Sequence, residues 1–403
     1  MVLFIARQPI FDRQINVFGY ELLYRKNERN LFLDTDADEA SSNVIINAFH
    51  VMGTDKLIGG RRAFINFTGN LLLQGIATLL PKEELVVEIL EDIQPTPAIL
   101  DACRELKRQG YMLALDDFVN TPVMRPFVDL ADIIKIDFIQ SNAQERRSIV
   151  RKLGNGKIRF LAEKIETLEE FEQAKEMGYT LFQGFFFSKP VIQPMGDIPA
   201  MRVNQLRLLE LLNKREIDFS ALSGIVTRDV SLSYKLLKLV NSSAFGLRTK
   251  IDSIRHALVM LGLDELKKWL SLIVMRGLAE NKPDELVRLS LLRARMMEQL
   301  GAELGWAGKA SDLFLLGLFS CLDVLMSRPL SELLEGISVS SEVKTALLLQ
   351  EGMFGMLFVL VQQYEEGHWD EVTRLSTLIG LDHQKVLPVY LESMKWCSAI
   401  LES

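Results

Sequence analysis

The chain is poor in the features that define several whole classes of protein. It has three cysteines, Cys103, Cys321 and Cys397, none in a CxxC spacing, so neither a disulfide framework nor a zinc–cysteine cluster is expected. Its longest apolar stretches, such as MFGMLFVLV from Met353 to Val361, fall far short of the roughly 20 residues a membrane span needs. No transmembrane helix is expected. The N-terminal MVLFIARQPIFD lacks a charged leader and a small-residue cleavage site and reads directly as a first strand, which points to a cytoplasmic location. Net positive charge is also lacking. A formal net charge of -7 gives no broad basic surface for a phosphate backbone and argues against general nucleic-acid binding. A local basic pocket is a separate matter, because Arg7, Arg25 and Lys135 lie close to polar strand ends, where they suit a small phosphorylated ligand.

What the chain has is length, apolar content and a recurring polar signal. Its 403 residues with 48% hydrophobic content exceed one core and suffice for two, with little disorder expected. Between Phe18 and Lys189, seven short apolar runs each deliver an acidic or amide side chain at or near their end. These are Glu21 in VFGYELL, Asn66 in AFINF, Glu88 in LVVEIL, Asp116 in MLALD, Asp137 in DIIKID, Glu163 in RFLAE and Gln183 in TLFQG. Parallel strands alternating with helices place their C-terminal ends on one face, so these groups are expected to converge. A carboxylate on a buried strand costs free energy unless a metal or partner compensates it. Seven such groups at one end therefore point to divalent metal chemistry.

The composition changes near residue 190. Before it, strand-like runs alternate with helices closed by Gly53, Gly110, Gly154 and Gly178, where a left-handed cap needs no Cβ. Ser141 with Gln144 and Thr167 with Glu170 read as capping boxes at two helix starts. VLFIA brings the candidate strands to eight in about 190 residues, which suits a compact α/β barrel. Lys189-Pro190, Pro194, Gly196 and Pro199 form a linker, and beyond it strand signals nearly vanish. Leu206, Leu208, Leu209, Leu211 and Leu212 form a helical stripe, and SLSYKLLKLV and DELKKWLSLIVM repeat its period. The expectation is an α/β domain over 1–193 and an all-α domain over 194–403, whose leucine faces form its core.

GYELLYR at 19 to 25 resembles the Glu-Ala-Leu signature of EAL domains, the modified TIM barrels that act as phosphodiesterases of the bacterial messenger cyclic di-GMP. The resemblance continues through RQPIFD (7–12), INF (65–67), VEILE (87–91), LDDF (115–118), KID (135–137), AEKIE (162–166) and QGFFFSKP (183–190). Eight ordered matches are specific where one would be weak. The resemblance implies Mg²⁺ or Mn²⁺ as cofactor, two ions in all. Their ligands would be Glu21, Asn66, Glu88 and Asp116, with Asp117 serving the second ion and Asp137 supporting the site. It implies Glu163 as general base towards water, with Lys135 holding that water. Gln8, Arg25 and Gln183 fall on the substrate side, Gln183 also suiting a water-positioning role, and Glu91 and Glu166 resemble loop anchors.

Three departures stand out. Val119, Asn120 and Thr121 replace the Gly-Thr-Gly that normally follows LDDF, and Pro122 and Pro126 come after them. Lys164 replaces the glycine of the usual Ala-Glu-Gly-Val-Glu stretch, adding a cation beside the proposed base, either to lower its pKa or to contact a phosphate. The segment KNERNLFLDTDADEA after Arg25 lacks the usual Trp and Pro pattern. Two readings result: a phosphodiesterase that opens cyclic di-GMP to the linear dinucleotide, or a non-catalytic receptor or interaction scaffold.

NSSAFGLRTKIDSIRHALVMLGLDELKKWLSL at 241 to 272 resembles an HDOD domain, a helical output module related in fold to HD phosphohydrolases. An HD enzyme needs an adjacent His-Asp pair, but His50, His256, His368 and His383 are followed by Val, Ala, Trp and Gln. In LFLLGLFSCLDVL, Ser320 and Cys321 stand where that pair would be, and no second hydrolase site is expected. The helical half is expected to bind an unidentified protein partner or relay a signal. EAL plus HDOD resembles a two-domain class of bacterial signalling proteins with the layout of the YuxH type. EAL barrels commonly pair through the region of the altered loop, so a homodimer of this chain is expected to form differently or through its helical half.

Overall fold

The computed structural model describes residues 3–26, 58–154, 156–188, 262, 268–273, 282–335, 337 and 339–402. Two compact units are built on Met1–Lys189 and on Pro190–Tyr364 with His368–Ser403.

In the first unit, eight strands close into a barrel in sequence order: β1 Leu3–Asp12, β2 Val17–Lys26, β3 Arg62–Phe67, β4 Leu85–Ile89, β5 Met112–Leu115, β6 Ile133–Asp137, β7 Arg159–Glu163 and β8 Leu181–Gln183. The helices that follow β3 to β7 include α1 Gly69–Leu73, α2 Pro97–Gln109, α3 Arg125–Val128, α4 Ala143–Leu153 and α5 Leu168–Met177. The barrel departs from an all-parallel arrangement at one strand. β1 runs antiparallel to both β2 and β8, while the pairs from β2 round to β8 are parallel. A hairpin through Arg13–Asn16 joins β1 to β2, and short hairpins join only antiparallel strands.

Two local expectations shift. The capping box of α4 is made by Asn142 and Glu145, one residue later than Ser141 and Gln144, because Asn142 Oδ1 accepts from the backbone N–H of both Gln144 and Glu145. Ser141 instead turns its hydroxyl back onto the Asp137 carbonyl. Gly110 and Gly178 close α2 and α5 at φ 97° and 102°, but Gly154 ends α4 at φ -67°, outside the left-handed region. The Thr167–Glu170 box of α5 is present. Gly53 lies outside the described residues.

Inside the barrel, Ile10, Phe64, Val86, Ala114, Ile133, Leu161 and Leu181 form one buried apolar cluster. Side chains along a strand alternate between its faces, so the next inward residue lies two positions on. For β3 to β8 that residue is Asn66, Glu88, Asp116, Lys135, Glu163 and Gln183 in turn. For β1, which runs the opposite way, it is Gln8. On β2 the apolar position is Gly19, where a Cβ would stand 2.7 Å from the Arg62 carbonyl oxygen and 2.9 Å from the Phe64 ring. Glycine there leaves room for Phe64, and two residues further on comes Glu21. One apolar floor therefore carries eight polar side chains above it.

In the second unit every described element is helical. Asp284–Glu303 (α6) and Ala310–Phe319 (α7) bury Leu286, Leu291, Leu300, Leu313, Leu316 and Phe319. The leucine faces of these helices are core. Among the described residues no single helix is long and apolar enough to cross a membrane. The apolar neighbours Ser341–Leu349 and Gly352–Glu366 break by 45° and bury Val343, Leu357, Leu360 and Val361 within the unit. Cys103, Cys321 and Cys397 are buried free thiols. Arg293 Nη1 lies 3.3 Å from Ser320 Oγ and 3.7 Å from Cys321 Sγ, so both side chains are hydrogen-bonded to a guanidinium. His50, His256, the Leu206–Leu212 stripe and SLSYKLLKLV lie outside the described residues.

Candidate active site

The polar layer closes around one ammonium group. Lys135, on β6 and fully buried, places Nζ 2.6 Å from Asp116 Oδ1, 2.7 Å from Glu88 Oε1, 2.9 Å from Glu163 Oε1 and 3.5 Å from Glu21 Oε2. Register explains the meeting: Asn66 pairs with Glu88, Glu88 with Ala114, and Lys135 with Leu161, so neighbouring strands present these side chains on the same inward face. The Gln183 amide continues the ring, with Nε2 donating to Glu21 Oε2 at 2.7 Å and to Gln8 Oε1 at 3.0 Å. Gly184 follows at φ 140°, where a Cβ would stand 2.1 Å from the Ile165 carbonyl oxygen. Only glycine lets that turn pass so close to the segment after Glu163.

Four carboxylates thus share a single buried cation, an excess of negative charge if all are ionised. Several oxygens lack a donor. Glu88 Oε2, Glu163 Oε2 and Gln183 Oε1 are buried without a hydrogen bond, while Glu88 Oε1 is held by Lys135 at 2.7 Å. Burial pushes the Glu88 carboxyl well above the usual carboxylate range, against the pull of Lys135 and reinforced by Glu21 and Asp116. Burial also raises Glu163, to about 8, with Lys135 opposing and Asp116 and Glu21 adding to the shift. For Lys135, burial alone would lower the pKa, but Glu163, Glu21, Glu88 and Asp116 outweigh it and hold the ammonium protonated.

These shifts set a pH dependence. Folded Glu163 keeps a proton up to about 8 that an unfolded glutamate, near 4.5, has already lost. The folded state binds more protons in this window, so its stability falls as pH rises through it. The melting temperature of chelator-treated protein is expected to fall between about pH 5 and about pH 8, and a rise over that range would contradict the shift. Deprotonated oxygens are what a divalent cation requires, so added Mn²⁺ should raise the melting temperature more at the upper end of the range.

The donor set fits a hard divalent ion. Glu21, Glu88, Asp116 and Asn66 offer oxygen, and the carboxylate oxygens left without donors have unused coordinating capacity. Among the described residues, no three acidic, histidine or cysteine side chains are already arranged as a cation cage. Lys135 Nζ stands where their oxygens meet.

Not every expected site residue joins this group. Asp137 lies two residues beyond Lys135, one layer higher on β6. Its Oδ1 accepts from the backbone N–H of Ile139 at 2.6 Å and of Gln140 at 3.0 Å, and its Oδ2 from Gln140 Nε2 at 3.1 Å and Lys164 Nζ at 2.5 Å. Although burial alone would raise it, these donors hold the Asp137 carboxyl below its ordinary value. Asp117 leaves β5 with φ 38°, and its carboxyl is raised by burial and by neighbouring Asp116. Glu91 is exposed and acts on Asp117 through its charge. Glu166 donates its backbone N–H to Glu170 Oε2 at 2.8 Å. The Arg25 side chain lies outside the described residues. Between Phe118 and Val128 the altered loop forms a 3-10 turn, Pro122–Met124, and then α3, anchored by the Phe118 N–H on the Lys135 carbonyl at 3.0 Å.

The role of Lys135 as hub was not read from the sequence. Its position was the available signal, since it occupies the inward place on β6 that acidic or amide residues fill on most other strands.

The EAL domain model matches residues 3–190 and the HDOD domain model residues 198–385. YuxH of Bacillus subtilis is 37% identical over 411 aligned residues, covering 100% of both chains. The cyclic di-GMP phosphodiesterase CdgJ of Vibrio cholerae is 37% identical over 400, covering 98% of this chain and 93% of its own. The chain belongs to the EAL–HDOD family. Klebsiella pneumoniae BlrP1, solved as a manganese and cyclic di-GMP complex, is 24% identical with a TM-score of 0.39, covering 46% of this chain and 55% of its own. In EAL–HDOD terms, the barrel just described is the EAL domain, and the helices after it fall largely within the HDOD domain.

Proposed function

We propose that the EAL barrel, residues 1–193, hydrolyses cyclic di-GMP to the linear dinucleotide in the cytoplasm, using Mg²⁺ or Mn²⁺. The HDOD domain, residues 194–403, would serve as its non-catalytic output or regulatory partner-binding half. The observation that carries this reading is the ring of four carboxylates on Lys135, with buried oxygens that have no donor. The relationship to CdgJ along 98% of the chain supports the same substrate.

In this mechanism Glu21, Asn66, Glu88 and Asp116 would hold the ion. A bound divalent ion supplies Lewis-acid charge against the scissile phosphate. Glu163 would accept the proton of the attacking water while the bond from phosphorus to the ribose oxygen breaks on the opposite side, that oxygen leaving as a hydroxyl with a proton taken from solvent. Lys135, 2.9 Å from Glu163 and 2.6 Å from Asp116, fixes the base beside the ligand set and opposes its protonation. Gln183 ties Glu21 to Gln8, so the ligand-bearing and substrate-facing sides are held by one amide. Arg25 contributes charge towards the dinucleotide.

Incubation of the full chain with cyclic di-GMP and Mg²⁺ or Mn²⁺, followed by nucleotide chromatography, tests this reading. The linear dinucleotide is the expected product. Binding without turnover with either ion would overturn it and leave the receptor reading.

A further inference from the structure

The resemblance to EAL domains implies two ions, yet the acidic groups at the barrel mouth divide between two lysines and are not equivalent. Around Lys135 the carboxylates outnumber the cation, and buried oxygens remain without donors. Beside Lys164 the carboxylate oxygens of Asp137 are instead fully supplied with donors. Each Asp137 oxygen already accepts two hydrogen bonds, Oδ1 from two backbone amides and Oδ2 from Gln140 and Lys164. A carboxylate offers about four lone-pair sites, so Asp137 has none left for a metal.

The Lys164 charge acts on Asp117, Asp137 and Glu163 together, the first two being the residues expected to serve or support a second ion. The backbone reinforces the arrangement. Lys164 sits at φ 56° and Asp117 at φ 38°, both in a region that side-chain-bearing residues rarely occupy and that persists where the surroundings fix it. A side chain has been placed where glycine would be at ease, and it is a cation aimed at Asp137.

We propose that the Lys164 ammonium takes the place of the second metal ion, so that the barrel mouth holds one divalent ion, in the Glu21, Asn66, Glu88 and Asp116 set around Lys135, and a built-in monovalent cation where a second ion would sit. This rests on the metal-dependent reading of the same site. Its consequence is that positive charge beyond the single ion comes from the chain itself and does not depend on metal concentration.

Mn²⁺ binding to the full chain, stripped with chelator and followed by calorimetry and electron paramagnetic resonance, tests the assignment without an activity readout. Wild type and Lys164→Arg should bind one Mn²⁺ per chain with a mononuclear spectrum. Lys164→Gly, which relieves the backbone at φ 56° and should fold, should bind two with an exchange-coupled spectrum. Two ions in wild type, or one ion in Lys164→Gly, would overturn the proposal. No Mn²⁺ binding by wild type would overturn the metal reading of the barrel itself and this inference with it, an outcome distinct from the other two.

Discussion

Lys135→Met is expected to destabilise the metal-free barrel by about 3–5 kcal/mol, the usual effect of removing one partner from a buried ion pair. The methionine fills nearly the same volume, so little of the loss would come from a cavity. It would come from Glu88, Asp116, Glu163 and Glu21, left facing one another without a cation. Carboxylates in that position relax by taking up protons. The loss should therefore be smaller at low pH, and Mn²⁺ should restore part of it. All four tryptophans, Trp269, Trp306, Trp369 and Trp396, lie in the second half of the chain. Indole fluorescence therefore follows the helical unit, while far-UV circular dichroism sees both halves. Denaturant titration should show the dichroism transition moving to lower denaturant with the fluorescence transition little changed. A barrel shift below about 1 kcal/mol would mean that Lys135 is not what balances the ring, since a buried pair broken on one side costs several times that.

Glu163→Gln is expected to lower cyclic di-GMP turnover by about 10²–10⁴-fold, the range that a positioned general base contributes. The amide keeps the shape of the carboxylate and can still face Lys135, but it cannot take a proton from water. Glu163 is not in the proposed ligand set, so Mn²⁺ affinity and cyclic di-GMP affinity should change far less than the rate. Full activity in Glu163→Gln would move the base to another residue, even with catalysis intact.

The sequence made much of this barrel legible because its strands are short and their polar residues interrupt otherwise apolar runs. Asn66, Glu88, Asp116, Glu163 and Gln183 were all recognisable in this way, and period-two alternation then brings them into one ring. Asp137 gave the same sequence signal, yet it rises one layer above the ring. The true ring member on β6 is Lys135, a cation hidden among expected acids. The direction of β1 was not legible, because an apolar run looks alike read either way. The Asn142–Glu145 cap was misplaced by one residue, since Ser141 and Asn142 are both good cap formers and only the competing bond from Ser141 to Asp137 decides between them. The pairing of Lys164 with Asp137 starts from a backbone turn at φ 56° at Lys164, which composition does not reveal.

The apolar floor has a consequence for how such a protein can diverge. Each ring residue is fixed by a core neighbour two positions away on the same strand, so its placement depends on packing that loop changes leave alone. The Val119–Pro126 loop, by contrast, meets solvent through Val119 and Val123, 67% and 53% exposed. The two parts can therefore accumulate substitutions at separate rates. The loops are free to acquire new regulators or partners, while the ring is inherited as a unit for as long as the floor beneath it stays packed.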